Sequence, residues 1–313
     1  MIPDRTIGVI VNPHSAGGRT GRRWPEIAHA LEKRMGPFTM RFTRGRGDAI
    51  ELTRELLAEG CDLIAGVGGD GTFNEIANGF IRADELVRPG AAMGILPAGT
   101  GGDFRRMFGF SSGKGMADAI QALATGKPGA IDIGKVKFRT RDGEPAERYF
   151  VNLVSFGMGG AVAARARNFL TPLGGKLAFL WATFCVLLSY RGKDVRVTMD
   201  GTGRDALWRV TNVAVGNGRF HGGGMHPCPT AELNDGVFEV TIIEYMNMFQ
   251  LLRDIGVLYS GDIYSHPKTH HLRGVRIEAQ AEAETLIEVD GEPLGMLPLE
   301  ITVLPGILPV IAG

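Results

Sequence analysis

Cysteine is scarce. Cys61, Cys185 and Cys228 are the three in 313 residues, and no two form a CxxC pair. That count and spacing exclude a disulfide framework and a four-cysteine zinc site, and they fit a reducing compartment. An excess of either charge is also missing: 34 Lys and Arg balance 34 Asp and Glu. Nucleic-acid binders normally carry a basic surplus, so that class is set aside. No apolar run reaches the roughly 20 residues of a membrane-spanning helix. The longest, Leu177–Leu188 (LAFLWATFCVLL), reads as a buried helix, with a helix resting on a membrane as the alternative. The N-terminal MIPDRTIGVIVNP lacks a basic start followed by a long apolar stretch, so no secretory signal is expected.

Glycine is abundant, at 46 residues, and it gathers in short runs without a Gly-X-Y period. Such runs point to loops where backbone approaches a ligand. Apolar residues at 44% and charged residues at 22% describe a folded globular chain, and its length suggests two domains. Strand and helix patterns alternate through the first 130 residues. Ile7–Val11 is a strand, and Trp24, Ile27, Ala28, Leu31 and Met35 share a helix face. Phe38, Met40 and Phe42 alternate as in a half-buried strand, and Asp48 reads as the N-cap of a helix stopped by Gly60. Cys61–Val67 and Ala92–Leu96 are further strands. Thr72-Phe73-Asn74-Glu75 reads as a capping box, and Met116–Ala124 as a helix. This alternation predicts a parallel sheet covered by helices. Beyond residue 130, strand-like runs dominate, among them Tyr149–Ser155 and Leu286–Val289, with helices near Gly175–Tyr190 and Asn247–Ser260. The expected division is an α/β domain at 1–129 and a β-rich domain at 130–304. The tail 305–313 is free to pack back on the first.

Three glycine-bearing loops follow predicted strands: Asn12–Gly18, Gly66–Thr72 and Pro97–Asp103. Gly66, Gly68 and Gly71 satisfy GxGxxG, which alone is a weak dinucleotide signal. Asp70 lies inside the turn, and the next strand ends at Leu96-Pro97 without the acidic residue a dinucleotide site needs. A carboxylate beside phosphate becomes favourable when a divalent cation stands between them, so the pattern suggests a nucleotide–Mg²⁺ site at a helix N-terminus. Thr43 ends another strand. GxxxxGK[ST] is absent and the three loops contain no Lys, which leaves metal, backbone dipoles and an Arg such as Arg44 or Arg46 to neutralise charge.

NPHSAGG, TRGRGDA, GGDGTFNEIANG, PAGTGGDF, GNGRFHGGGMHPCPTAELNDGVFEV and EVDGEPLGMLP occur in that order and span nearly the whole chain. Together they resemble the diacylglycerol kinase and sphingosine kinase family, with the closest likeness to its soluble bacterial lipid kinases. The resemblance implies a nucleotide-binding α/β domain like that of NAD kinase and diacylglycerol kinase, an antiparallel β-rich domain after it, and an active site in the cleft. It implies transfer of the ATP γ-phosphate, with Mg²⁺, to a diacylglycerol-like hydroxyl. ATP contacts carried over are Asn12, Pro13, His14, Ser15, Ala16, Thr43, Gly68, Gly69, Asp70, Gly71, Thr72, Phe73, Asn74 and Thr100. Glu292 is the implied general base, with Asp290 beside it and Asp70 bridging Mg²⁺ to the phosphates. Asp235, with main-chain oxygen from Glu232 and Val237, is the implied structural Mg²⁺ site. Two positions depart from the family: Ala16 stands where Gly is usual, and Gly102 where Asn is usual. The expected setting is cytoplasmic, at the inner face of the membrane, with transient surface contact through Phe108, Phe110, Met158 and the 169–181 region, all of which also read as core, and with room for a homodimer. The rival readings are an NAD kinase-like nucleotide kinase and a non-catalytic binding homologue. Locally, Asp290-Gly291-Glu292 and Asp235-Gly236 also read as plain turns. His221 and His226 read as loop histidines without partners, and His270 and His271 as opposite faces of one strand.

Overall fold

The computed structural model describes residues 5–99, 102–110, 115–168, 175–199 and 204–312. The chain divides into two compact units, Met1–Ile133 with Leu304–Gly313, and Gly134–Val303.

The first unit runs β1 (Ile7–Val11), α1 (Arg19–Met35), β2 (Thr39–Phe42), α2 (Asp48–Ala58), β3 (Leu63–Gly68), α3 (Asp70–Phe80), a small hairpin of β4 (Ile81–Arg82) and β5 (Glu85–Leu86), β6 (Ala92–Pro97), α4 (Asp103–Arg106), α5 (Met116–Thr125) and the start of β7 (Gly129–Arg139). Its sheet is parallel in the order β6-β3-β1-β2. Every residue of β1 and β3 is buried, as expected of strands covered on both faces. Val310 and Ile311, from the C-terminal segment, pair in parallel with Met93 and Gly94 of β6.

Sequence periodicity misjudged three local features here. Met40 and Phe42 are exposed rather than half-buried, because β2 is the edge strand. Phe38 and Phe42 meet Trp24 of α1 edge-on, at centroid distances of 6.2 and 6.0 Å. Thr72 to Glu75 form no capping box, since α3 begins at Asp70 with Gly69 as its cap. The Glu75 carboxylate instead accepts the Gly47 and Ala49 N–H groups at 2.9 and 3.1 Å, so it caps the neighbouring helix α2. Asp48 is the first helical residue rather than the cap, and it folds back to accept the Arg44 N–H at 2.7 Å.

The second unit adds β8 (Pro145–Phe150), β9 (Leu153–Gly157), α6 (Met158–Asn168), α7 (Gly175–Ser189), β10 (Lys193–Met199), β11 (Arg204–Gly216), β12 (Phe238–Glu244), α8 (Met248–Asp254), α9 (Val257–Ser260), β13 (Thr269–Gly274), β14 (Arg276–Gln280), β15 (Leu286–Val289) and β16 (Glu292–Ile311). Its strands pair antiparallel in the order β13-β12-β11-β10-β14-β16, and β15 links β16 to β9. Phe150, Phe156, Phe238, Val213 and Ile277 lie in its core, with the Phe150 and Phe238 rings stacked at 5.6 Å.

The single strand expected at Tyr149–Ser155 is two strands, interrupted at Val151-Asn152. Helix α6, which sequence reading did not anticipate, packs on β9 and β15. Helix α7 stands near its expected position but is not fully buried. Ala182 and Val186 face α6, whereas Trp181, Phe184 and Leu188 are exposed.

Gly160 lets α6 sit against β15, because a methyl group there would overlap the Leu286 carbonyl. Gly160→Ala is expected to lower stability by roughly 1–3 kcal/mol, read by urea unfolding. Unchanged stability would mean that this close approach is not required.

Candidate active site

In the first unit the loops after β1, β3 and β6 are knitted together by named contacts. Asn12 Nδ2 donates to Thr72 Oγ1 at 3.1 Å, and Asn12 Oδ1 accepts the His14 N–H at 3.1 Å. The Pro13 carbonyl accepts the Gly21 N–H. Ser15 Oγ bonds Thr20 Oγ1 at 2.5 Å, and Thr20 reaches the Ala98 carbonyl. The Gly68 carbonyl accepts the Ala98 and Gly99 N–H groups at 2.8 and 2.9 Å. A Cβ on Gly99 would run into the Gly69 backbone, so these two loops touch main chain to main chain. Ala16 has φ 53°, a left-handed conformation that explains why glycine is usual there. Thr43 is buried with its N–H on the Val11 carbonyl, while Phe73 and Asn74 are buried in α3. Thr100 lies outside the described residues.

Asp70 plays a different part from the one expected. Its carboxylate accepts the N–H groups of Gly102, Asp103 and Phe104 at 3.1, 2.9 and 3.2 Å. Burial and the nearby Asp103 charge raise its pKa, while the N–H bonds pull the other way. Both oxygens therefore face backbone donors. The N–H groups of Gly69, Asp70, Gly71 and Thr72, at the start of α3, have no acceptor among the described residues. Such a row is the ordinary anion-binding feature of a helix N-terminus.

In the second unit, Asp290 repeats the pattern. It accepts the N–H groups of Val151, Asn152 and Leu153 at 2.8, 3.0 and 2.8 Å. This is why the expected strand breaks at Val151-Asn152. Asp290 at φ 48° and Gly291 at φ 85° form a two-residue hairpin turn between β15 and β16. The turn displays Glu292, whose carboxylate makes no hydrogen bond or ion pair among the described residues. Behind the hairpin, buried Glu288 accepts from Ser155 Oγ at 2.8 Å and meets His221 Nε2 at 3.0 Å. His221 therefore has a partner, contrary to expectation, and His226 packs edge-on against Phe220. Sequence reading missed the roles of Glu288, Ser155 and residues 151–153, because nothing local marks a donor whose acceptor is more than a hundred positions away.

Asp235 is paired with the Arg273 guanidinium and accepts the Val237 N–H at 3.3 Å, while Glu232 is exposed. In this arrangement the guanidinium neutralises that carboxylate. No three His, Cys, Asp or Glu side chains cluster as metal ligands among the described residues. His270 and His271 do point apart, to Glu244 and to Glu239 respectively. Cys228 is buried, which pushes its thiol up to about 12 and keeps it protonated.

The profile of the diacylglycerol kinase catalytic domain matches residues 6–136, and that of the YegS C-terminal NAD kinase beta sandwich-like domain matches residues 152–312. The chain belongs to the diacylglycerol kinase family. A diacylglycerol kinase of Staphylococcus saprophyticus is 29% identical over 295 residues, covering 93% of this chain and 90% of the relative. A diacylglycerol kinase of Staphylococcus aureus is 28% identical, covering 93% and 87%. The fold matches a crystal structure described as a diacylglycerol kinase from Bacillus anthracis, with a TM-score of 0.71, 22% identity and coverage of 99% and 97%. Yeast NADH kinase complexed with NADH shares the fold more distantly, at a TM-score of 0.54, 12% identity and coverage of 99% and 84%. As a diacylglycerol kinase family member the chain is a lipid kinase that uses a nucleotide. Its architecture is an N-terminal α/β domain followed by an antiparallel β-rich domain.

Within this family member, Asp70→Ala and Asp290→Ala should each cost about 2–4 kcal/mol, since each leaves three buried N–H groups without an acceptor. Urea unfolding measures this. Wild-type stability in either variant would remove the clamp role of that aspartate.

Proposed function

We propose that this kinase transfers the γ-phosphate of ATP to the hydroxyl of a diacylglycerol-like lipid, with Glu292 as general base. The carrying observation is the contrast at the hairpin tip: Asp290 accepts three backbone N–H groups, whereas the Glu292 carboxylate accepts none among the described residues. A base must have a lone pair free to take the proton, and Glu292 has one. The nucleotide half of the reading is supported by the unpartnered N–H groups of Gly69–Thr72, which suit a polyphosphate. Asn12, Ser15 and Thr43 are proposed to shape that pocket, as is Thr100. ATP is proposed to arrive as its magnesium complex, with the ion carried by the phosphates rather than by a protein carboxylate. Glu292 accepts the lipid hydroxyl proton as that oxygen attacks the γ-phosphorus. The bond from the γ-phosphorus to the bridging oxygen breaks, and ADP leaves.

A lipid hydroxyl is reached at a bilayer surface. No helix among the described residues is long and apolar enough to cross a membrane. Among the expected contacts, Phe110 is buried, while Phe108 and Met158 are half-buried, Phe108 packing on Phe104 at 5.2 Å and Met158 with Val162. The outer face of α7 supports surface contact better. Trp181, Phe184 and Leu188 are 53%, 50% and 59% exposed, and the two rings lie 5.8 Å apart. Half-exposed aromatics on one helix face suit the interfacial region of a membrane.

With labelled ATP and a total lipid extract, the label should enter the organic phase. Label confined to the aqueous phase would overturn the lipid reading in favour of a soluble nucleotide acceptor. Glu292→Gln should lower turnover by roughly 10²–10⁴-fold while nucleotide affinity is retained; normal turnover in that variant would dismiss Glu292 as the base. Trp181→Glu combined with Phe184→Glu should reduce sedimentation with phosphatidylglycerol vesicles by at least about tenfold, given the apolar area involved. Equal sedimentation would rule out the α7 face.

A further inference from the structure

Gly102 has φ 82°, and any side chain on it would overlap Arg105, whose Cδ and Cζ lie 2.7 and 2.9 Å from the position a Cβ would take. The Arg105 side chain is therefore folded back over Gly102, in space that any side chain at position 102 would need. Its Nε is buried and has no hydrogen-bond partner among the described residues. A buried donor on a cation is unfavourable unless an acceptor arrives.

The position of Arg105 within the first unit suggests what that acceptor is. The Asp70 clamp ties residues 102–104 to the first residue of α3, so Arg105 follows directly on the segment held against the α3 N-terminus. Strand β6, which leads into this loop, is the immediate neighbour of β3 in the sheet. Arg44 and Arg46, the cations that sequence reading favoured, follow the edge strand β2 and are exposed. The three glycine-bearing loops contain no Lys, and the Asp70 carboxylate there is engaged by backbone donors. A polyphosphate at the α3 N-terminus still needs positive charge nearby, and a guanidinium matches phosphate oxygens in a two-pronged geometry.

We infer that Arg105 binds the phosphates of the nucleotide, standing in for the side chain missing at position 102. This rests on the kinase reading above and assigns that site a further residue. The pair should behave as a unit: the guanidinium works because Gly102 leaves it room.

The test is calorimetric binding of ATP, ADP and adenosine to the full-length protein and to Arg105→Ala. Loss of a charge-assisted phosphate contact predicts roughly 10- to 100-fold weaker ATP binding, a similar or smaller loss for ADP, and adenosine binding within about twofold of wild type. Arg105→Lys should recover part of the ATP affinity, as should Gly102→Asn introduced into Arg105→Ala. If Arg105→Ala fails to fold, Arg105→Gln carries the same comparison with the stem retained. Equal losses for ATP and adenosine, or no loss for either, would overturn the assignment of Arg105 while leaving the kinase reading intact. Wild-type protein that binds none of the three nucleotide probes would overturn the kinase reading and this inference with it.

Discussion

Two carboxylates, each closing on three consecutive backbone N–H groups, set the geometry on which the functional parts of this molecule depend. Asp70 holds residues 102–104, and Asp290 holds residues 151–153. A loop that turns its amides inward leaves donors that water cannot reach, and each such donor is costly unless an acceptor meets it. A single aspartate meets three. The cost is a charge kept from water, visible at Asp70 as a pKa raised by burial. The result is a loop with one conformation, which is what a binding or reacting group needs beneath it.

Glycine in this chain serves close approach as much as unusual dihedrals. A side chain on Gly68 would strike Thr72, and one on Gly99 would strike the Gly69 backbone. Those contacts pack the loops after β3 and β6 against each other and keep the start of α3 accessible. At the hairpin the requirement is conformational, because Asp290 and Gly291 both have positive φ. The two sequence readings of Asp290-Gly291-Glu292, as a turn and as a site, are one feature. The turn is the device that presents Glu292.

Much of the fold was legible in the sequence because apolar period records burial, and burial is what builds layers. The parallel strands at Ile7–Val11, Leu63–Gly68 and Ala92–Pro97 and the helix at Met116–Thr125 fall where the periods put them. The period fails where the partner, rather than the strand itself, decides exposure, as for Met40 and Phe42 on the edge strand. It also fails where a distant side chain captures the backbone. The break at Val151-Asn152 exists because Asp290, 138 positions from Asn152, takes its N–H. Residue types at the candidate site were legible too, but their roles were not. Asp70, Asp290, Glu288 and Glu75 are all acidic, and only coordinates distinguish a clamp or a cap from a free base.

That distinction decides the chemistry. Among the acidic side chains in or beside the loop motifs, Asp70, Glu288 and Asp290 have their oxygens committed to donors. Asp70 and Asp290 accept backbone donors, and Glu288 sits between Ser155 and His221. A carboxylate in that position serves as a structural acceptor, and the loop it holds depends on those bonds. Among the described residues Glu292 has no donor to give up, and it is carried at the tip of a turn whose shape is fixed two residues away by the Asp290 clamp. Rigid support and an unoccupied lone pair are the two properties general-base catalysis asks of one group. In this chain they coincide at Glu292, because the neighbouring aspartate has taken on the structural task.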